Sequence, residues 1–376
     1  MDNLAMTLLG ATLTFGRLGR DLPRRTALIV AILAANLPDI DILYFLVGGP
    51  DAFVYRHATW THSLVALAVL PLVIAGITSL ASRLRFVPLL MLAGAAMVGH
   101  LALDMAGSWG IAPLTPFSTL RIGAGWVYST DLYVWALLSL PLWLPRFAGV
   151  PAERVSVIAL GLVVAWIGLL GGLSGFARAK AEAVAEAAGL NPSDVRVYAS
   201  PFLPTRWNGL VSDGAHVAQI RVSLTGESVL ESVHLRNLEH PAVRLAVATD
   251  AGSRYLNWAA MPVAEVICLS EPGERPKGKK AGTPGRLAVR FADLRFADPW
   301  LERKVGELRF DVEYQNRYTV PMRVTGSAWV TPWKRDAPAD VPACKDAPIE
   351  PRPPLVAGDE DSSLEGNESA TPADPQ

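Results

Sequence analysis

The chain has 376 residues, of which 51% are hydrophobic and 18% charged, with a net charge of −1. That charged share is below the roughly 25% of an average soluble protein; the deficit falls in the first half, and there is no basic stripe of the kind nucleic-acid binding needs. Two cysteines, Cys268 and Cys344, exclude a disulfide framework and a thiolate metal site and leave room for one disulfide.

Length allows two domains. Residues 4–15 are a short apolar segment, about 20 Å long as a helix. Arg17, Arg20, Arg24 and Arg25 follow it, whereas a secretory signal carries its positive charges first. Residues 26–47 are the second apolar segment, about 33 Å as a helix and enough to cross a bilayer. Asn36-Leu37-Pro38-Asp39-Ile40-Asp41 lies inside it. Proline removes a backbone donor and disfavours helix in the residue before it. A broken helix at membrane depth is tolerated where it is buried in protein or lines a cavity, and carboxylates there point to function.

Gly48-Gly49-Pro50 marks a turn, and the loop after it carries Arg56, His57, Thr59, Thr61 and His62. Residues 63–81 and 87–105 are the third and fourth apolar segments; the fourth contains His100 and Asp104. A loop with Trp109-Gly110, Pro116-Phe117-Ser118 and Arg121 leads to the fifth segment, residues 132–144, with Asp131 at its start. Residues 155–173 are the sixth. The expected fold is therefore an α-helical multi-spanning membrane domain of about six apolar helices over residues 1–175. The positive-inside rule then orients it. Eight arginines (17, 20, 24, 25, 83, 85, 146 and 154) lie in alternate connections, against Arg56 and Arg121 in the others. The expected topology has the N-terminus, the loops at 48–62 and 105–131, and everything after residue 173 outside.

On that topology Asp39, Asp41, His57, His62, His100, Asp104 and Asp131 all fall on the outer face. Residues 176–190 read as a helical stalk. Residues 191–336 read as a β-rich extracytoplasmic domain, with alternating runs at 195–198, 216–224, 232–235, 243–247, 286–291, 307–314 and 319–324. Residues 337–376, rich in Pro, Asp and Glu, read as a disordered tail.

His100 and Asp104 stand at i and i+4 on one helix face. Asp39 and Asp41 reach one centre only if the helix breaks, which Pro38 supplies. His62 closes the set. Mixed imidazole and carboxylate donors suit zinc, and also manganese or iron. Metal ligands are thus expected at Asp39, Asp41, His62, His100 and Asp104, with Asp39, His57 and Arg121 as the candidate catalytic residues. Arg121 is suited to a bidentate clamp on an anionic group. Asp131 reads as an N-cap or a ligand-supporting group, and His216, His234 and His240 as structural.

Taken together, Met1-Asp2-Asn3-Leu4, Leu37-Pro38-Asp39-Ile40-Asp41, Arg56-His57 through Thr61-His62-Ser63, His100 to Asp104, Trp109-Gly110 and Pro116-Phe117-Ser118 look like the YdjM family of bacterial membrane-bound metal-dependent hydrolases. The resemblance covers residues 1–175. It implies a bacterial inner-membrane location, a polynuclear site and phosphoester hydrolysis, through a distant likeness to the zinc-dependent phospholipase C and nuclease group. It also implies an extracytoplasmic C-terminal domain, as in longer members. The family usually has a histidine near its start where this chain has Met6, and a thioether is a poor ligand for a hydrolytic centre.

The expected activity is cleavage of a phosphoester, a lipid among the candidates, by a metal-bound hydroxide at the outer face. Two other classes compete: a non-catalytic membrane protein with a degenerate metal site, and an ion or proton translocator. The clustering of polar groups on one face weighs against the translocator.

Overall fold

A computed structural model describes residues 1–270, 285–297, 299–300, 307–314 and 323–330. The expected tail at 337–376 and Cys344 lie outside the described residues. Helices α1 (Asn3–Phe15), α2 (Arg24–Asn36), α3 (Leu43–Arg56), α4 (Leu64–Ser82), α5 (Phe86–Ala106), α6 (Leu132–Ala148) and α7 (Ala152–Ala187) make up the first part. Among the described residues, four helical segments are long and apolar enough to cross a membrane: Arg24–Gly49, Leu64–Ser82, Phe86–Ala106 and Ala152–Ala187. The first and fifth apolar segments form the shorter helices Asn3–Phe15 and Leu132–Ala148. The expected count of about six spans therefore stands at four by length.

Each helix begins where the local chemistry allows. Asp2 accepts hydrogen bonds from the amides of Leu4 and Ala5, Ser63 from Ala66, and Asp131 from Tyr133 and Val134. Caps of this kind are typically worth about 1 kcal/mol each. Helix α2 ends before Pro38, and the chain continues as a 3-10 turn over Leu37–Ile42. Gly49, with φ of 69°, kinks α3. Helices α1 and α2 approach backbone to backbone: a Cβ on Gly10 would lie 2.8 Å from the main chain of Ala31. Small residues at such crossings let packing replace the hydrophobic drive that lipid does not supply.

Helix α7 has 36 residues, about 54 Å. It runs unbroken through the sixth apolar segment and into the expected stalk, ending at Ala187. Its C-terminal end buries Ala177, Ala181 and Ala185 against an antiparallel sheet of β1 (Asp194–Ala199), β2 (Arg206–Ser212), β3 (His216–Ser223) and β4 (Val229–Leu235). Helices α8 (Pro241–Val247) and α9 (Asp250–Trp258) follow. A second antiparallel sheet then joins β5 (Pro262–Ser270), β6 (Gly285–Asp293), β7 (Glu307–Tyr314) and β8 (Arg323–Val330).

Two sequence expectations fail here. The run 243–247 is helical rather than a strand: Pro241 sits in the first turn, His240 caps it by accepting from Ala242, and Ala242, Val243 and Ala246 bury one helical face. The strands β2 and β5 were not among the expected runs. In β2 every residue after Arg206 is buried, so the alternation that marks a half-buried strand is absent.

Candidate metal centre

The site forms where several helix ends meet. Asp39 and Asp41 lie on the 3-10 turn after α2, His62 ends the short turn before α4, and His100 and Asp104 occupy the last turns of α5. His100 Nδ1 donates to the Ala35 carbonyl at 2.6 Å. That bond fixes the tautomer and turns the Nε2 lone pair inward. The Nε2 atoms of His62 and His100 are 3.1 Å apart. Asp104 Oδ2 is 3.2 Å from His62 Nε2 and 3.1 Å from His100 Nε2. Asp39 Oδ1 is 3.5 Å from the first and 3.8 Å from the second. Four donors around an ion at about 2.1 Å would stand about 3.4 Å apart, so the spacing fits a first-row divalent metal.

Two groups among the described residues could hold an ion: Asp39, His62, His100 and Asp104, and Asp39, Asp41 and His57. They share Asp39. The donor chemistry of the first, two imidazoles and two carboxylates, fits a divalent metal.

The second group is knit by hydrogen bonds. His57 Nδ1 lies 2.8 Å from Asp41 Oδ1, while Asp41 Oδ2 accepts from the Ala58 amide at 2.8 Å and the Thr61 hydroxyl at 3.0 Å. Asp41 thereby organises the loop between α3 and α4. Thr61 Oγ1 also lies 3.0 Å from His62 Nδ1, so His62 is held from behind as its Nε2 faces the donor cluster. Burial alone would lower the pKa of His62, but Asp104, Asp39 and Asp41 outweigh it and raise it to about 10. The carboxylates thus favour positive charge at this point.

Asp104 also pairs with the amino group of Met1. Asn3 donates to Asp39 Oδ2 at 3.4 Å and to Asn36 at 3.3 Å. Asn3, Thr61 and Ala58 were not among the expected site residues, although all three lie within the motifs that carry the family resemblance.

Arg121 is at the site, with Nη1 facing the Gly110 carbonyl and Nη2 the His57 carbonyl. Burial and the neighbouring Arg295 lower its pKa to about 10. Asp131 caps α6 and lies 3.4 Å from the Trp166 indole, outside both ligand groups. His216 pairs with Asp213, His234 meets Ser232, and His240 caps α8. Met6 is fully buried in the apolar core with Leu9, Ala31 and Leu92. Asp2, besides capping α1, accepts from the Trp135 indole.

Residues 1–179 match the model of a family described as YdjM inner membrane protein. No curated protein and no solved structure matches the chain. Over residues 1–179, which hold the whole His/Asp cluster, this chain is similar to the YdjM inner membrane protein family.

Proposed function

We propose that the protein is an inner-membrane metal-dependent hydrolase acting on a phosphoester, with its site at the extracytoplasmic face. The observation that carries this reading is the convergence of His62 Nε2, His100 Nε2, Asp39 and Asp104, with His100 anchored on the Ala35 carbonyl. Asp39, His62, His100 and Asp104 would hold the principal ion, for which zinc suits the donors best. A bound divalent ion supplies Lewis acidity and lowers the pKa of coordinated water.

The chain's own groups take the remaining roles. His57, hydrogen-bonded to Asp41, is suited to move a proton, because the carboxylate sets the tautomer of the ring. Its side chain is 19% exposed, whereas those of His62 and His100 are 0% exposed, so His57 is the imidazole a substrate meets. Asp39 bridges the two groups and is held by Asn3. Arg121 fixes the backbone that carries His57 and keeps a positive charge near the substrate phosphate.

A lipid headgroup phosphate is the favoured substrate class, since the site stands at the end of apolar helices. A bis(p-nitrophenyl) phosphate assay on detergent-purified protein tests the activity. Turnover should require added zinc or manganese and fall at least about 100-fold in His62→Ala. Metal binding without any turnover would support the non-catalytic alternative.

A further inference from the structure

We infer that the C-terminal domain is a working part of this site: Trp109 and Arg295 are positioning residues that hold His57 against Asp41. The inference rests on the reading above, in which His57 serves the reaction. The family match ends at residue 179, yet an unbroken chain of contacts runs from the C-terminal domain to the His57 ring.

His57 follows α3, and its ring meets that of His62 at 5.6 Å and is held on three further sides. Asp41 binds Nδ1, Phe53 stacks on one face at 4.7 Å, and Trp109 meets the ring edge to face at 5.5 Å. Asp41 and Phe53 belong to the membrane part. Trp109 sits on the loop after α5, and its place is set from the other domain: its ring lies 4.9 Å from Phe296 and 5.8 Å from Trp258. Those two rings stack on each other at 5.6 Å and 13°.

Arg295 locks this aromatic group. Its guanidinium lies over Trp258 at 5.0 Å and over Phe296 at 4.6 Å. Nη1 donates to the carbonyl of Ser108, the residue before Trp109, at 3.2 Å. Nε and Nη2 bind Asp293, and both side chains are nearly inaccessible, at 5% and 1% exposure. A buried ion pair is weak evidence of stability in itself and is better attested as fixing one arrangement against others. Here the arrangement it fixes is the docking of a membrane-domain loop. A second tie lies two residues before His57, where the Tyr55 hydroxyl donates to the Ala251 carbonyl of α9 at 3.2 Å.

The arrangement gives Trp109 one face toward His57 and another toward the C-terminal domain. Loss of either contact frees the imidazole to rotate about its bond to Cβ and leave Asp41. Of the three site histidines, His57 is the one whose ring meets Trp109 among the described residues, so the effect should fall first on His57.

Two readouts on the full-length protein in detergent test this. The first uses chelator-treated protein and needs no metal: the rate at which diethylpyrocarbonate carbethoxylates His57, followed by peptide mass spectrometry. It should rise several-fold in Trp109→Ala and in Arg295→Lys, which keeps the charge beside Asp293 but removes the fork that reaches Ser108. Trp109→Phe should restore the wild-type rate.

The second readout is a double-mutant cycle on zinc affinity. Trp109→Ala and His57→Ala should each weaken binding by about 10–100-fold, the usual range for a supporting group. The double variant should lose no more than the weaker binder of the two. Equal losses with and without His57, or an unchanged carbethoxylation rate, would overturn the inference. If wild-type protein binds no zinc at all, the metal reading falls, and the carbethoxylation rates decide the positioning role by themselves.

Discussion

Ala58 is the residue on which the loop geometry turns. It holds φ of 58°, a left-handed conformation, while 2% exposed. Such a conformation costs a non-glycine residue roughly 1–2 kcal/mol and persists where the surroundings over-determine it. Here the Ala58 amide donates to Asp41 and its carbonyl accepts from Ala112. The strain sets the direction in which the chain leaves His57 and returns to His62. Ala58→Val should therefore destabilise the protein by at least about 2 kcal/mol, since a β-branched residue is worse at positive φ and the site has no room. A fall in the detergent melting temperature together with weaker zinc binding is the expected result. At this scale the sequence displayed the donors but not their division of labour. Asp39, His62, His100 and Asp104 were recognisable as polar residues in apolar surroundings. That Asp41 spends both oxygens on His57, Ala58 and Thr61 depends on a backbone turn that no spacing rule predicts.

Helix ends and crossings place those residues. The start of α1 brings Asn3 to Asp39, and this depends on how closely α1 lies on α2. Gly10 permits the approach, because a Cβ there would meet the Ala31 backbone at 2.8 Å, while one on Gly76 in α4 would meet nothing within 4 Å. Gly10→Ala should cost about 1–3 kcal/mol by overpacking and loosen the hold on Asp39. Gly76→Ala, with helix propensity in its favour, should leave both stability and zinc affinity unchanged. Comparing the two in thermal unfolding and zinc titration checks this. Apolar runs gave the helices away, and Pro38 gave the break. Strand β2 was illegible because its two faces are both covered: Gly209 lies under Ala181 of α7, while Asn208 donates to the Leu294 and Ala297 carbonyls. Helix α8 was misread because Val243 and Val247 suggest a strand, and the start signal at His240-Pro241 outweighs them.

The whole molecule places the cluster and the C-terminal domain at the same end of the helical bundle. The C-terminal end of α7 leads into β1, and the Ala199 amide donates to the Gly125 carbonyl in the loop that follows α5. On the positive-inside rule the arginines at the opposite end would face the cytoplasm. A periplasm-dependent alkaline phosphatase fused at the C-terminus should accordingly be active, and a fluorescent protein that folds only in the cytoplasm should stay dark there. The reverse pattern would place the cluster on the cytoplasmic side. Charge patterning was readable along the sequence, whereas the contact between Arg295 and Ser108 joins residues 187 positions apart and has no local signature. The central claim is that this common end holds a divalent metal. Metal analysis of the detergent-purified full-length protein tests it most directly, with wild type, His62→Ala and Asp104→Ala dialysed alike against a chelator and then reloaded with zinc. The account predicts at least one tightly held ion in wild type and its loss in both variants. Equal metal content in all three proteins, or none in wild type, would contradict it.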